Sequence, residues 1–287
     1  MPIWKDEKKK NRRDYVEVTP SRAEDLWLRC QSCGELVFRK KLAQNSYICP
    51  HCGAYFFLSA EERIASLVDE GSAADVTAPL VANDPLGFVD RKPYPDRVKE
   101  AQRETGLLDA VKVVEARIEG HPVVLAVMDF RFIGGSMGSV VGEELCRAME
   151  RAIELGVPFV LVAASGGARV QEGVLSLMQM PKTVLVRGKL ARAGIPYIAV
   201  FTYPTTGGVL ASIASLADIT LAERGTKIGF AGPRVIEQTT KEKLPSDFQT
   251  EDFALARGMV DRVVRREELR SELGKILSLL DGGRYGG

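Results

Sequence analysis

Histidine is almost absent from this sequence: His51 and His121 are the two in 287 residues. Neither adjoins a glycine turn lying between a strand and a helix, so a Ser-His-Asp mechanism has little to draw on. Gly-x-Gly-x-x-Gly is missing, which removes the dinucleotide fingerprint, and so is Gly-x-x-x-x-Gly-Lys-Ser/Thr, which removes the P-loop. Ser165 stands in Ala163-Ala164-Ser165-Gly166, not in the Gly-x-Ser-x-Gly elbow of a hydrolase. No apolar run approaches the ~20 residues of a membrane span, and the first residues, Met1 to Lys8, contain no apolar stretch of signal type. A cytoplasmic protein is expected, with no membrane partner. An excess of either charge is also lacking. Lys plus Arg number 39 and Asp plus Glu 38, which removes any global electrostatic case for nucleic acid.

What is present begins with cysteine. Cys30-Gln-Ser-Cys33-Gly34 and Cys49-Pro-His-Cys52-Gly53 are separated by fifteen residues, and Cys146 stands alone. In a cytosolic chain, paired Cys-x-x-Cys spacing argues for metal rather than disulfides. Four thiolates fill a tetrahedral shell, so Cys30, Cys33, Cys49 and Cys52 are expected to hold one structural Zn2+, with no open position for water. Iron satisfies the same spacing. The glycine after each pair lets the chain turn so that backbone N–H groups face the sulfurs. His51 reads as a solvent-facing loop residue and Cys146 as a small packed residue inside a helix.

The chain divides into a polar tail (1–25), a zinc ribbon (26–58), a helix and Pro-rich linker (59–98), an α/β domain (99–280) and a short tail (281–287). In the ribbon, Glu35 to Lys40 and Asn45 to Ile48 alternate like short strands. Ser59-Ala-Glu-Glu reads as a capped helix start, with the helix ending near Gly71. Residues 75–98 carry four prolines and read as a linker or a loop laid on the surface. A helix is expected over Lys99–Thr105, then a hairpin of strands Asp109–Ile118 and Pro122–Asp129 about Glu119-Gly120-His121. From there a unit of apolar strand, glycine turn and helix recurs. Gly134-Gly135 opens helix Val140–Leu155. Strand 159–163 gives Ser165-Gly166-Gly167-Ala168-Arg169 and a helix over 172–193. Strand Tyr197–Phe201 gives Gly207-Gly208 and a helix of small residues, Val209–Ser215. This is one layered α/β domain, not a solenoid.

These turns offer backbone donors. N–H groups at a helix start lack intrahelical partners, and consecutive ones can hold an oxyanion or an enolate. Glycine pairs also serve tight turns and close helix–strand packing, but three such turns favour the functional reading. Arg169 directly follows the second of these turns, and Arg234 follows a further one, Ala231-Gly232-Pro233, that opens a helix through Gln238; both arginines admit two readings: a phosphate or carboxylate contact, or a surface charge or internal ion pair.

Together the zinc ribbon, Gly134-Gly-Ser-Met-Gly-Ser-Val-Val-Gly142, Ser165-Gly-Gly-Ala-Arg169, Pro204-Thr-Thr-Gly-Gly-Val209 and Phe230-Ala-Gly-Pro-Arg-Val-Ile-Glu-Gln238 resemble the β subunits of bacterial acetyl-CoA carboxylase carboxyltransferase, from about Leu26 to Arg266. The resemblance implies a crotonase-like (ClpP-like) superhelix after the four-cysteine ribbon. It implies transfer of a carboxyl group from carboxybiotin, on biotin carboxyl carrier protein, to acetyl-CoA, giving malonyl-CoA for fatty-acid synthesis. By carry-over, Gly207 and Gly208 are the catalytic oxyanion donors. Gly134, Gly135, Ser165, Gly166, Gly167, Ala168, Arg169 and Arg234 border the substrate. Implied partners are a carboxyltransferase α subunit in an α2β2 assembly, the carrier protein and biotin carboxylase, with nucleotide and ATP binding in the whole carboxylase. Because biotin can act as the base, no histidine is required. The ribbon is then expected to lid the CoA site or to pack on the partner. Tyr203 and Arg131 stand where many relatives carry a smaller residue.

Two other readings remain. One is a different crotonase-class acyl-CoA enzyme, a hydratase or a decarboxylase. A hydratase needs a pair of carboxylates, and Glu172 alone lies near the turns. The other is nucleic-acid binding by the ribbon with the basic run Lys8 to Arg13, as a secondary activity.

Overall fold

The computed structural model describes residues 26–30 and 32–281. The tail with its run Lys8 to Arg13, and the last six residues, lie outside them. The chain separates into one unit up to residue 57 and a second from residue 58.

In the first unit, β1 (Trp27–Arg29) and β2 (Leu36–Phe38) pair antiparallel, and α1 (Arg39–Gln44) follows at once. The expected second strand, Asn45 to Ile48, is instead a turn. Ser46 and Tyr47 take φ of 53° and 58°, and only Ile48 bridges across, to Tyr55. Leu28, Val37, Leu42, Ala54 and Phe56 pack around Cys30 and Cys49. That core is small for a free-standing domain, and such units are usually completed by a metal.

The second unit is a sheet with helices on both faces. Its elements are α2 (Ala60–Leu67), β3 (Ala74–Asp75), α3 (Tyr94–Thr105), β4 (Val111–Ile118), β5 (His121–Met128), α4 (Ser139–Leu155), β6 (Phe159–Ser165), α5 (Val174–Arg192), β7 (Tyr197–Thr206), α6 (Gly207–Leu210), β8 (Ile219–Glu223), β9 (Ile228–Gly229), α7 (Pro233–Thr240), α8 (Glu251–Ala256), β10 (Arg262–Val264) and α9 (Leu269–Asp281). Among the described residues the order is β10-β8-β7-β6-β5-β4-β3, with β9 beside the end of β7. The pairs from β5 to β10 are parallel, and β3-β4-β5 are antiparallel.

Alternate residues of the central strands feed two cores. Val124, Ala126, Phe159, Leu161, Tyr197, Ala199 and Phe201 join Leu145, Met149 and Leu190 of α4 and α5. Val123, Leu125, Val160, Val162, Ile198 and Val200 join Ile64 of α2 and Leu269, Leu273 and Leu277 of α9. Burial on both faces is why these strands read as unbroken apolar runs rather than as alternating ones.

The hairpin falls where expected, with Ile118 opposite His121 and both Glu119 and Gly120 at positive φ (49° and 84°). The capped start of α2 is also present: Ser59 Oγ accepts from Glu62 N, and the Glu62 carboxylate accepts from Ser59 N. Residues 75–98 are not a linker. β3 adds to the sheet edge, Val76 N donates to Val113 O at 3.0 Å, and Ala82 and Phe88 pack on the main core. The helix expected from Lys99 begins at Tyr94, because Pro95 in the first turn starts a helix rather than breaking one.

The parallel strands end on one edge, and there the glycine turns meet. Gly135 has φ of 61°, and a Cβ on it would stand 1.9 Å from Ala164 O. Gly135→Ala is therefore expected to destabilise the domain by about 3 kcal/mol or more in urea unfolding. Gly71→Ala, at φ of 73° with nothing within 4 Å, is expected to cost only about 1 kcal/mol.

Candidate active site

All three turns converge. Gly166 N donates to Gly134 O at 2.9 Å, Met137 N to Gly167 O at 2.8 Å, and Arg169 N to Met137 O at 3.0 Å, so the first turn is laced to the second. A Cβ on Gly167 would lie 3.2 Å from both Gly207 Cα and Gly208 N, and one on Gly207 would lie 3.0 Å from Gly166 O. The second and third turns thus touch backbone to backbone. Gly134, Gly135, Gly166, Gly167, Ala168, Gly207 and Gly208 form one patch. Gly166 is exposed there, with Ala168 and Gly207 half-buried.

Several N–H groups in these turns, though without intrahelical partners, find acceptors elsewhere. Gly207 N donates to Phe230 O at 3.2 Å, Gly135 N to Phe132 O at 3.0 Å, and Gly167 N to Ser165 Oγ at 3.0 Å. Nor does the turn at 165–168 open directly into a long helix, since a single 3-10 turn, Val170–Glu172, precedes α5. Among the described residues, Gly208 N and Ala168 N donate no hydrogen bond. A Cβ on Gly208 would stand 3.5 Å from Ala168 N, so these two donors border one small space.

Two side chains expected at the substrate are turned inward. Ser165 is fully buried, its hydroxyl closing the turn onto Gly167, while its carbonyl accepts from Thr206 Oγ1 at 3.1 Å. Arg169 is 0% exposed. Its guanidinium grips Asp109 with two bonds of 2.9 and 2.6 Å, donates to Ser136 Oγ and Ser136 O at 3.0 and 2.7 Å, and lies over the Phe132 ring. It is an internal ion pair and not a phosphate contact, because no donor is left facing solvent. Burial opposes the Arg169 charge, but the Asp109 carboxylate overrides this and raises the group above the ordinary arginine range. Burial likewise pushes the Tyr94 hydroxyl up, so Tyr94 stays a neutral donor to Glu172 at 2.7 Å. Glu172, 1% exposed, also accepts from Ser139 N at 2.6 Å. It is therefore occupied behind the turns.

Arg234 is the second residue of α7, and its side chain lies outside the described residues. Arg131 forks onto Asp129 at 3.0 and 2.6 Å. His51 is exposed, and His121 sits 3.6 Å from Asp281 in the hairpin. Cys146 is packed, its thiol pushed up by burial to about 11. Asp109 and Tyr94, which hold Arg169, escape a reading of the sequence, since nothing local marks residues that meet their partner 60 or more positions away.

In the first unit, the sulfurs of Cys30, Cys33, Cys49 and Cys52 lie within 4.8 Å of one another, with Cys30–Cys52 at 3.6 Å and Cys33–Cys49 at 3.8 Å. A tetrahedron with Zn–S bonds of ~2.3 Å has edges of ~3.8 Å, whereas a disulfide needs ~2.05 Å. The geometry fits a four-thiolate metal centre. Gly34 and Gly53, at φ of 79° and 75°, close the two knuckles through Gly34 N to Cys30 O and Gly53 N to Cys49 O.

Residues 88–281 match the carboxyl transferase domain, and residues 27–52 match the acetyl-CoA carboxylase zinc finger domain. The chain is 52% identical over 259 residues to the acetyl-coenzyme A carboxylase carboxyl transferase subunit beta of Thermus thermophilus, covering 90% of each. It is 50% identical over 253 residues to the subunits beta/alpha protein of a Parafrankia species, covering 88% of this chain and 41% of that one. Among solved structures it resembles transcarboxylase 12S with a TM-score of 0.64 and 28% identity, covering 77% of this chain and only 40% of that longer one. The α/β unit is thus the crotonase-like carboxyl transferase fold. A domain match over more than half of the chain and near-full-length relatives at half identity agree: the chain belongs to the family of acetyl-CoA carboxylase carboxyl transferase beta subunits.

Proposed function

We propose that this chain supplies the thioester-binding half of the carboxyl transfer from biotin to acetyl-CoA, giving malonyl-CoA, and that it does so with backbone donors. The observation that carries this reading is the pair of N–H groups without a hydrogen bond, Gly208 N and Ala168 N, side by side at the joint between the second and third turns, where the neighbouring Gly167 N and Gly207 N are taken. A thioester oxygen lodged there gains charge as the α-proton leaves. Fixed donors that need not reorganise stabilise that charge more than the ground state. Gly208 is the donor in the third turn, with Gly207 holding it through Phe230 O. Gly134, Gly135, Gly166, Gly167 and Ala168 form the wall beside the CoA thioester. Carboxylated biotin on its carrier protein is the second substrate and brings both the carboxyl group and the base. No side chain of the patch is then required to titrate.

Glu172 bears on the alternatives. Its carboxylate is spent on Tyr94 and Ser139 N, which disfavours a hydratase, where an acid and a base must reach the substrate. The partner reading is an α subunit that completes the site in an α2β2 assembly. The name of the Parafrankia relative, which joins beta and alpha in one chain, supports it. Cys30, Cys33, Cys49 and Cys52 hold one structural zinc.

Three outcomes follow. The chain alone should form no malonyl-CoA, and mixing it with an α subunit, acetyl-CoA and carboxylated carrier protein should restore turnover; well-folded proteins that stay inactive when mixed would refute the reading. In that complex, Gly208→Ala should lower kcat by about tenfold or more with little change in Tm. The methyl would stand 3.5 Å from Ala168 N but meet only the flexible Met180 sulfur, at 3.2 Å. In Cys30→Ser or Cys49→Ser, metal analysis should show zinc falling from about one per chain towards none, with loss of the ordered first unit.

A further inference from the structure

We infer that Gln249 is a positioning residue for the carboxyl transfer, acting through the strand that anchors the third glycine turn. The inference rests on the role proposed above for Gly208 N. The orientation of that N–H depends on Gly207, whose own N–H is tied to Phe230 O at 3.2 Å. Phe230 follows β9, a strand of two residues paired with Thr205 and Thr206 of β7. Its own side chain offers no anchor, being 68% exposed.

The anchor comes from Gln249, 4% exposed and 19 positions further along the chain. Its carbonyl accepts from Ile228 N at 3.0 Å, and its Nε2 donates to Ala231 O at 2.6 Å. Phe230 is thus held on both sides, at Ile228 and at Ala231. The amide lies so close over β9 that a Cβ on Gly229 would stand 2.2 Å from Nε2. Gln249 takes φ of 63° to reach inward, an unfavourable backbone state for a residue with a side chain. A carbonyl at this distance requires a donor, which fixes the amide with nitrogen towards Ala231. Without that bond, Phe230 O is free to shift, and a displacement of a few tenths of an ångström misaligns Gly208 N with the developing charge.

The test uses the α–β complex with Gln249→Met, which keeps volume and loses the donor, and Gln249→Glu, which places an acceptor against a carbonyl. Gln249→Met should lower kcat about tenfold while KM for acetyl-CoA stays within about twofold. Gln249→Glu should be more impaired at pH 8 and recover relative to wild type as pH falls to about 6. Burial beside a carbonyl raises its carboxyl pKa, and the protonated form can donate again. Rates are normalised to folded complex by circular dichroism and gel filtration. That recovery is read within one sample, so partial folding of either variant does not obscure it. Wild-type kcat in Gln249→Met together with a flat relative pH profile in Gln249→Glu would overturn the inference while leaving the proposed function standing. An inactive wild-type complex would overturn the functional reading and this inference with it.

Discussion

Backbone packed against backbone is the contact on which this structure depends. Gly135 rests on the Ala164 carbonyl where no Cβ would fit, and Gly167 rests on Gly207 and Gly208 where one would be tight, at 3.2 Å. Three strand ends can then be brought to one point, because their connecting turns occupy almost no volume. The same contact sorts the donors. Close approach lets Gly134 O and Phe230 O take up the N–H groups of Gly166 and Gly207, while Phe132 O and Ser165 Oγ take those of Gly135 and Gly167 within their own turns. Gly208 N and Ala168 N, side by side where the second and third turns meet, carry no hydrogen bond. The proposed oxyanion role asks for donors held in place by their neighbours in this way.

Behind that lattice lies a buried charge cluster. Asp109 precedes β4, Tyr94 begins α3, Arg169 follows the second turn and Glu172 precedes α5. Burying these charges is costly, and the arrangement persists because each partner is met. Its bonds tie residues 165–172 to the residue before β4, to the start of α3 and to the segment leading into α4. The substrate contact that the sequence allows Arg169 is replaced by buried partners, as Asp109 and Ser136 occupy its guanidinium, and Tyr94 and Ser139 N occupy Glu172. Catalysis by backbone N–H is compatible with a chain that has only two histidines, both away from the turns.

The central strands are legible in the sequence because burial on both faces leaves Phe159–Ala163 and Tyr197–Phe201 almost purely apolar. The hairpin is legible because Glu119-Gly120 is a strong turn signal between two strand-like runs. The zinc ribbon is legible because ligand chemistry restricts both residue type and spacing. Misreadings arise where one local signal has two meanings. Pro95 marks a helix start as readily as a break, so the sequence alone shortens α3 and gives its first turn to a linker. β3 is two residues long and carries no period at all. Asn45 to Ile48 alternates but turns back at Ser46 and Tyr47.

By itself, the amino-acid sequence determined the four-thiolate centre, a layered α/β domain and the presence of three glycine turns. All of these rest on residue type and near-neighbour spacing. Only the tertiary structure decided which N–H groups remain free and that Ser165 and Arg169 face inward. It also decided that Gln249 reaches β9. These are long-range pairings, and the partner of a donor is chosen by which strand ends meet in space. Arg169 has the same neighbours in sequence whether it points at a phosphate or at Asp109, so no local pattern could separate the two.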